Sequence, residues 1–446
     1  MPTYDWNDYR QNYLKTVTAS LLHPKINTYE ICPWPNRVFD GKYPKNDPAA
    51  EPIPAEYASV LNNVFQTLGD METGESTAAV RCGILISDTS LYQRSYPDGI
   101  LENAARNEVT TVMRDKEDEI DRFRNFLFCG DGDMADRLRF EITNMLPAFY
   151  GLCLPLLKYG MPVRPVLLDN LRRFNGYLDD YQVLVMSYEY CKPEYPDENA
   201  VLAAWVRDGG TLIYVGDGGD PFHGAEGFWT GKYPTAAHHL FTLLGLECPA
   251  SGESVIASVG KGHVGIWNTA PSAFCHSHET AEGWRNFFRQ VIGCGGYVWE
   301  ESNRITEQRG PYLAAAVFDE NSDTSPMVLH GLYADMYTPD FAIRDTVTLL
   351  PGENGLFFDL SKIAGETLRI IGTGARVFSM EQEGDTVRLQ VRGADTVRIH
   401  MRLRTPFAVS ADGMDMQCDP VSRTVLLAYD SVGESREIVL TKTLDW

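Results

Sequence analysis

The hydrophobic pattern changes character twice along the chain. Residues 5–22 carry Tyr9, Tyr13, Leu14, Val17 and Leu21 at near-helical spacing, which predicts a helix. His23-Pro24 breaks it, and INTYEIC over 26–32 predicts a short strand. PWPNRVFDGKYPKNDPAAEPIP then forces an extended loop, because each proline fixes φ and lacks an N–H. Residues 54–71 return to a helical period, with Val60, Leu61, Val64, Phe65 and Leu68 on one side and Pro54 near the start.

After METGEST the pattern alternates between strand and helix. Candidate strands cover 81–88, 162–170, 181–188 and 210–217; candidate helices cover 101–127, 135–159, 197–208, 235–245 and 280–292. Continuous apolar strands separated by helices predict a parallel sheet covered on both faces. ESVIASVGKGHVGIWNT reads as a hairpin turning at Gly260-Lys261-Gly262. From about residue 296 the helical period gives way to period-two segments split by Gly, Asp and Pro turns, which predicts an all-β sandwich.

Charge and composition narrow the function. The 446 residues hold 39 Lys plus Arg against 61 Asp plus Glu, a formal charge of −22. So acidic a surface repels phosphate backbones, and nucleic acid is not an expected partner. With 44% apolar and 11% aromatic residues the chain can build real cores. No apolar run is long enough to span a bilayer, and the polar N-terminus lacks the layout of a secretory signal, so a soluble, cytoplasmic protein is expected. Nine widely spaced cysteines without a CxxC pair fit reduced thiols. His276, His278 and Glu279 cluster loosely and His238-His239 opens a helix, but zinc-type spacing is absent and no metal is expected. No cofactor is expected either: there is no phosphate-binding GxxxxGK[ST], and VGDGGD is not a dinucleotide fingerprint. No GxSxG elbow occurs, and Cys191 in SYEYCKP lacks the glycines of a nucleophile elbow.

The stretch YEICPWPNRVF holds the chemistry worth testing. Glu30 is placed near a strand end, and Trp34, Arg37 and Tyr43 follow in a proline-stiffened loop. Aromatic faces stack on sugar C–H surfaces, and an arginine orients a carboxylate or hydroxyl. Glycoside cleavage needs carboxylates held in such a place. A purely structural arrangement is equally compatible, with Glu30 paired to Arg37 and Trp34 packed at a domain interface. A second candidate is GDGGDPFHGAEGFW, where Asp217, Asp220, His223, Glu226 and Trp229 could bind sugar, coordinate Ca²⁺ through oxygens, reach across an oligomer interface into a neighbour's barrel, or stand as an exposed acidic loop. Asp88, Tyr92 and Arg94 follow the first middle strand and are candidates for the same cleft. The charged helix RDKEDEIDRFRNF reads as a solvated face.

LLHPKINTYEICPWPNRVF, FYGLCLPLLKYGMPVRPVLLDNL, LDDYQVLVMSYEYCKP and LAAWVRDGGTLIYVGDGGDPF together resemble the later part of a glycoside-hydrolase chain of the family 42 β-galactosidase type. The resemblance implies an α/β chain in three parts. These are a partial (βα) barrel segment over 1–78, a flavodoxin-like (class I glutamine amidotransferase-like) doubly wound domain over 79–295, and a β-sandwich over 296–446. It implies a carbohydrate substrate and a homo-oligomer, with a trimer as one possibility. A retaining mechanism needs two carboxylates ~5–5.5 Å apart. Only 80 residues precede Arg81, while a complete barrel takes ~250. The expectation is therefore a chain catalytically incomplete alone, completed by missing barrel strands or by an upstream barrel-bearing partner. A non-catalytic oligomerisation and carbohydrate-binding module is the alternative. An amidotransferase-like sugar-metabolism protein is a third.

Overall fold

The computed structural model describes residues 5–30, 38–43, 48–71, 73, 80–87 and 146–446. Helix α1 (Trp6–Leu21) starts with a reciprocal cap: the Asp5 carboxylate accepts from the Asn7 and Asp8 N–H groups, and the Asp8 carboxylate accepts from Asp5 N–H. Two short strands, β1 (Lys42–Tyr43) and β2 (Glu51–Pro52), pair antiparallel. Helix α2 (Ala55–Asp70) follows Pro54. The strand expected over 26–32 does not form in its described part, 26–30. There Arg309 donates to the Ile26 carbonyl at 2.5 Å and to the Tyr29 hydroxyl at 3.1 Å, so a buried guanidinium holds the segment in place of a ladder.

Residues Ala78–Ser302 make one compact unit. Its strands are β3 (Cys82–Ile86), β4 (Val163–Leu167), β5 (Val183–Met186), β6 (Thr211–Val215), β7 (Ser254–Val259) and β8 (Gly262–Trp267). They lie in the order β4-β3-β5-β6-β8-β7, parallel except for β7. The helices are α3 (Leu146–Leu157), α4 (Pro196–Arg207), α5 (Ala236–Leu244) and α6 (His278–Cys294). Alternation along the strands explains why both faces are covered. Leu184, Met186, Leu212 and Tyr214 pack with Leu202 and Val206 of α4 and Leu240 and Phe241 of α5. Val183, Val185, Ile213 and Val215 point the other way, onto Leu152 and Leu156 of α3 and Trp284 and Phe288 of α6. The β7–β8 turn runs through Gly260 at φ 63°, and Gly262 lies so close to the backbone that a Cβ would meet the Val206 carbonyl oxygen at 2.1 Å. The expected helix 101–127, with its charged stretch 114–126, falls outside the described residues, as do residues 135–145 of the helix expected over 135–159.

The second unit joins Met1–Thr77 to Asn303–Trp446. Within this unit the described helices α1 and α2 of the opening stretch pack with the C-terminal strands. These are β9 (Arg304–Arg309), β10 (Tyr312–Val317), β11 (Met327–Asp335), β12 (Ile343–Leu349), β13 (Asn354–Asp359), β14 (Arg369–Thr373), β15 (Ala375–Glu383), β16 (Thr386–Gly393), β17 (Asp395–Arg404), β18 (Phe407–Ser410), β19 (Asp415–Asp419), β20 (Thr424–Val432) and β21 (Ser435–Asp445). The expected sandwich resolves into a five-stranded sheet, β12-β11-β13-β10-β9, and two four-stranded sheets, β14-β17-β20-β19 and β15-β16-β21-β18. The two four-stranded sheets share a core that includes Leu389, Met401, Leu427 and Leu440. Leu14, Val17 and Leu21 of α1 and Val60, Val64 and Leu68 of α2 are buried with Ala314, Leu356 and Phe358. This burial is the physical reason the two ends of the chain share a unit: helices with one apolar stripe need a facing sheet.

Trp284 is fully buried, stacked on Phe274 at 5.3 Å, and donates its indole N–H to the Leu152 carbonyl at 3.1 Å. Trp284→Ala is expected to destabilise the Ala78–Ser302 unit by about 3–5 kcal/mol, read from a lowered urea midpoint in equilibrium unfolding.

Candidate functional site

Two places carry the residues singled out from the sequence, and each lies within one unit. The first is built on α1 and α2. The segment 26–30, fixed by Arg309, ends at exposed Glu30. Glu30 lines an open groove of about 530 Å³ together with Tyr13, Ile26, Tyr29, Phe65 and Leu68. Among the described residues lining it, Glu30 is the one carboxylate. Trp34 and Arg37 fall outside the described residues. Tyr43 does not line this groove. Its ring lies 5.6 Å from Trp6 and 5.5 Å from Tyr9, in an aromatic cluster at the start of α1. That cluster is pinned by the Trp6 indole N–H, which donates to the Glu51 carbonyl of β2 at 2.7 Å. Sequence proximity thus placed Glu30 and Tyr43 in one site, whereas folding puts them in different surroundings.

The second place lies beyond the C-terminal ends of β5 and β6, where parallel α/β sheets present ligand-binding loops. The chain leaves β5 through Ser187 and Tyr188 to buried Glu189, then passes through Tyr190 at φ 54°. The loop after β6 turns through Gly218 at φ 73° and ends in a short 3₁₀ turn, Pro221–Gly224. Glu189 gathers that loop. Its Oε1 accepts from Gly218 N–H at 2.9 Å and faces His223 Nε2 at 3.2 Å; its Oε2 accepts from Asp220 N–H at 2.9 Å. Asp220 returns the favour, with Oδ2 accepting from Tyr190 N–H at 2.6 Å and from the Lys192 ammonium, and Oδ1 accepting from Phe222 N–H at 2.7 Å. Gly216 allows this approach, since a Cβ there would lie 3.0 Å from Glu189 Oε1.

Of the residues singled out here from the sequence, Asp220, His223 and Trp229 are buried, while Asp217 and Glu226 are exposed. Trp229 donates its indole N–H to the His223 carbonyl at 3.2 Å, and Asp217 caps its own turn by accepting from Gly219 N–H at 3.0 Å. Glu189 and Lys192, which complete the cluster, were missed. The signal available was two charged residues, Glu189 and Lys192, bracketing Tyr190-Cys191 shortly after an apolar strand. Asp88, Tyr92 and Arg94 fall outside the described residues.

Burial alone would raise the Glu189 carboxyl, but the His223 contact, the Gly218 N–H and nearby Lys192 hold it below its ordinary value. Burial pushes the Tyr188 and Tyr190 phenols well above their usual range. Ligand atoms of Glu189, Asp220 and His223 lie within 4.8 Å of one another, close enough for a metal. Every carboxylate oxygen there already accepts an N–H or ammonium donor, and Lys192 supplies the cation, so the set fits a metal poorly. What the arrangement does is rivet the β6 loop to the end of β5. His276, His278 and Glu279 form no such group and are exposed. The seven described cysteines form no disulfide with one another, and burial pushes the Cys153 thiol up to about 12, which keeps it unreactive.

No protein-family model and no curated protein sequence matches the chain. Solved structures match it in part. A β-galactosidase from Bacillus circulans sp. alkalophilus shares 10% identity over 68% of this chain and 44% of its own, with a TM-score of 0.38. Gan42B, a family 42 β-galactosidase from G. stearothermophilus, shares 12% identity over 66% and 43%, with a TM-score of 0.33. A β-galactosidase from the psychrophilic Marinomonas ef1 shares 11% identity over 68% and 41%, with a TM-score of 0.31. The chain spans less than half the length of each. Among the described residues no helix is long and apolar enough to cross a membrane.

Two outcomes test the network. Lys192→Met leaves Asp220 buried without its cation and is expected to cost about 3–5 kcal/mol, measured by urea unfolding at neutral pH. The depressed Glu189 carboxyl contributes stability that is present above its ordinary value of 4.5 and lost as pH falls through the lower folded value. The stability gap between the parent chain and Glu189→Gln should therefore shrink as pH falls below 4.5, and a gap that widens there contradicts the assignment.

Proposed function

We propose that this chain is a glycoside-hydrolase-related protein that binds carbohydrate in the Glu30 groove and does not cleave an O-glycosidic bond unaided. The observation that carries this reading is the groove itself: an open cleft whose described lining has two tyrosines, a phenylalanine and one acidic side chain. Aromatic faces and a carboxylate acceptor are the groups a sugar ring engages, through its C–H faces and its hydroxyls. Carboxylate-based hydrolysis needs a second carboxyl across the bond, ~5–5.5 Å away for retention and ~6.5–9.5 Å for inversion. The sequence resemblance to family 42 β-galactosidases supports the same class. In this reading Glu30 is a binding group in the isolated chain and takes a catalytic role only when a second carboxyl is brought to it. That carboxyl would come from a barrel-bearing partner or a second copy of the chain. The single acid among the described lining residues favours the module form of the proposal, in which binding rather than turnover is the activity of the chain alone.

Galactose and lactose titrated into the purified chain should give binding that weakens by roughly tenfold in Glu30→Gln, the loss expected when a charge-assisted hydrogen bond is removed. An aryl β-galactoside should be turned over no faster than in buffer. Rapid hydrolysis abolished by Glu30→Gln would overturn the non-catalytic part, and binding indifferent to Glu30→Gln would overturn the site.

A further inference from the structure

A second groove, of about 640 Å³, opens on another side of α1, bounded by β12 and the ends of β11 and β13. It draws on Arg10, Gln11, Leu14 and Lys15 of the helix, whereas the Glu30 groove draws on Tyr13, Thr16, Val17 and Ser20. The two share no lining residue. Its volume is that of a small-molecule site. Its charge is unlike that of the chain. Three cations, Arg10, Lys15 and Arg344, and two carboxylates, Asp335 and Glu353, line it, so its lining is net positive on a protein of charge −22.

The cations are presented in two different ways. Arg10 is half-buried and donates Nη2 to the Tyr337 carbonyl at 2.9 Å. Its Nε is shielded from solvent and has no hydrogen-bond partner among the described residues. Arg344 is oriented by Asp335, Nε to Oδ2 at 3.2 Å, and Asp335 is itself fixed by accepting from Tyr337 N–H at 3.0 Å. Asp335 is paired with Arg344, and one oxygen of exposed Glu353 accepts from the Leu350 N–H at 2.8 Å. Lys15 is exposed and has no ion pair among the described residues. Hydroxyl and amide groups complete the lining: Thr346 and Thr348, which share a side of β12 with Arg344, and Gln11 and Asn354.

From this arrangement we infer that the groove binds a small anionic sugar, whose oxyanion is held by Arg10, Lys15 and Arg344 and whose hydroxyls meet the threonines and amides. Guanidinium groups pair with planar carboxylate and with phosphate through paired N–H donors. Ring hydroxyls need neutral donors and acceptors beside that charge, and the lining supplies both. A bare inorganic anion would leave the hydroxyl and amide groups of the groove without purpose.

The test uses the full chain and calorimetric titration of glucuronate, glucose 6-phosphate, glucose and inorganic phosphate. At least one of the two anionic sugars should bind, and roughly tenfold or more tightly than glucose. Glucuronate or glucose 6-phosphate as the tighter ligand identifies the source of the charge. The double variant Lys15→Gln, Arg344→Gln should lose that advantage while its circular dichroism is unchanged. Arg344→Lys in the same assay should retain part of it. Glu30→Gln should leave it intact, so failure of the Glu30 groove and failure of this one are told apart. Equal binding of glucose, no binding of either anionic sugar, inorganic phosphate binding as tightly as both, or a double variant that binds like the parent chain would each overturn the inference.

Discussion

The docking of α1 on the five-stranded sheet is the contact on which the candidate chemistry rests. Leu14, Val17 and Leu21 are buried against side chains contributed more than 290 residues later, among them Ala314, Leu356 and Phe358. Burial of such side chains contributes about 1.5–3 kcal/mol each, and this defines the helix's orientation. Once the apolar stripe is committed, the remaining residues of α1 are distributed to its flanks. Tyr13, Thr16 and Ser20 border one groove; Arg10, Gln11 and Lys15 border the other. Thr18 adds direction, since its hydroxyl meets the Tyr337 phenol at 2.8 Å inside the core. A single helix therefore sets the relative placement of an aromatic cleft and a cationic one.

The Ala78–Ser302 unit uses polar burial for a different purpose. Glu189, Lys192, Asp220 and His223 are all buried at the ends of two parallel strands. In many α/β sheets that position presents reactive groups to a ligand. Here the carboxylate oxygens are turned on donors of the same two loops, while the buried His223 Nδ1 has no hydrogen-bond partner among the described residues. Each carboxylate is met by backbone N–H groups from the neighbouring loop, so the two connections behave as one rigid piece. Position in the fold and availability of the side chains are separate properties, and only the second makes a site.

Local pattern was legible in the sequence to the extent that local physics decides it. VLVM and TLIYV are continuous apolar runs that only a sheet covered on both faces can hide, and they form β5 and β6. Leu14, Val17 and Leu21 mark α1, and Gly260 marks the hairpin turn. What the one-dimensional pattern does not carry is which sheet a helix meets. The periodicity of 5–22 and 54–71 is the same whether those helices belong to a barrel or cover antiparallel strands. INTYEIC has strand-like composition, yet Arg309 captures Ile26 and Tyr29 of its described part and no ladder forms there. The site was partly legible for a related reason. Glu30 stood out by its unusual neighbours, but Arg10, Lys15 and Arg344 are ordinary charged residues until folding assembles them, and Glu189 and Lys192 carry no distinguishing pattern until the β6 loop is brought against them.

The interrupted composition of the first unit has a consequence for biosynthesis. Its two opening helices leave the ribosome before any strand that covers them exists, while the whole Ala78–Ser302 unit is translated in between. Domains generally fold as units as they emerge. The nascent chain must carry the uncovered leucines and valines of α1 and α2 through that interval, until the strands that bury them have been made.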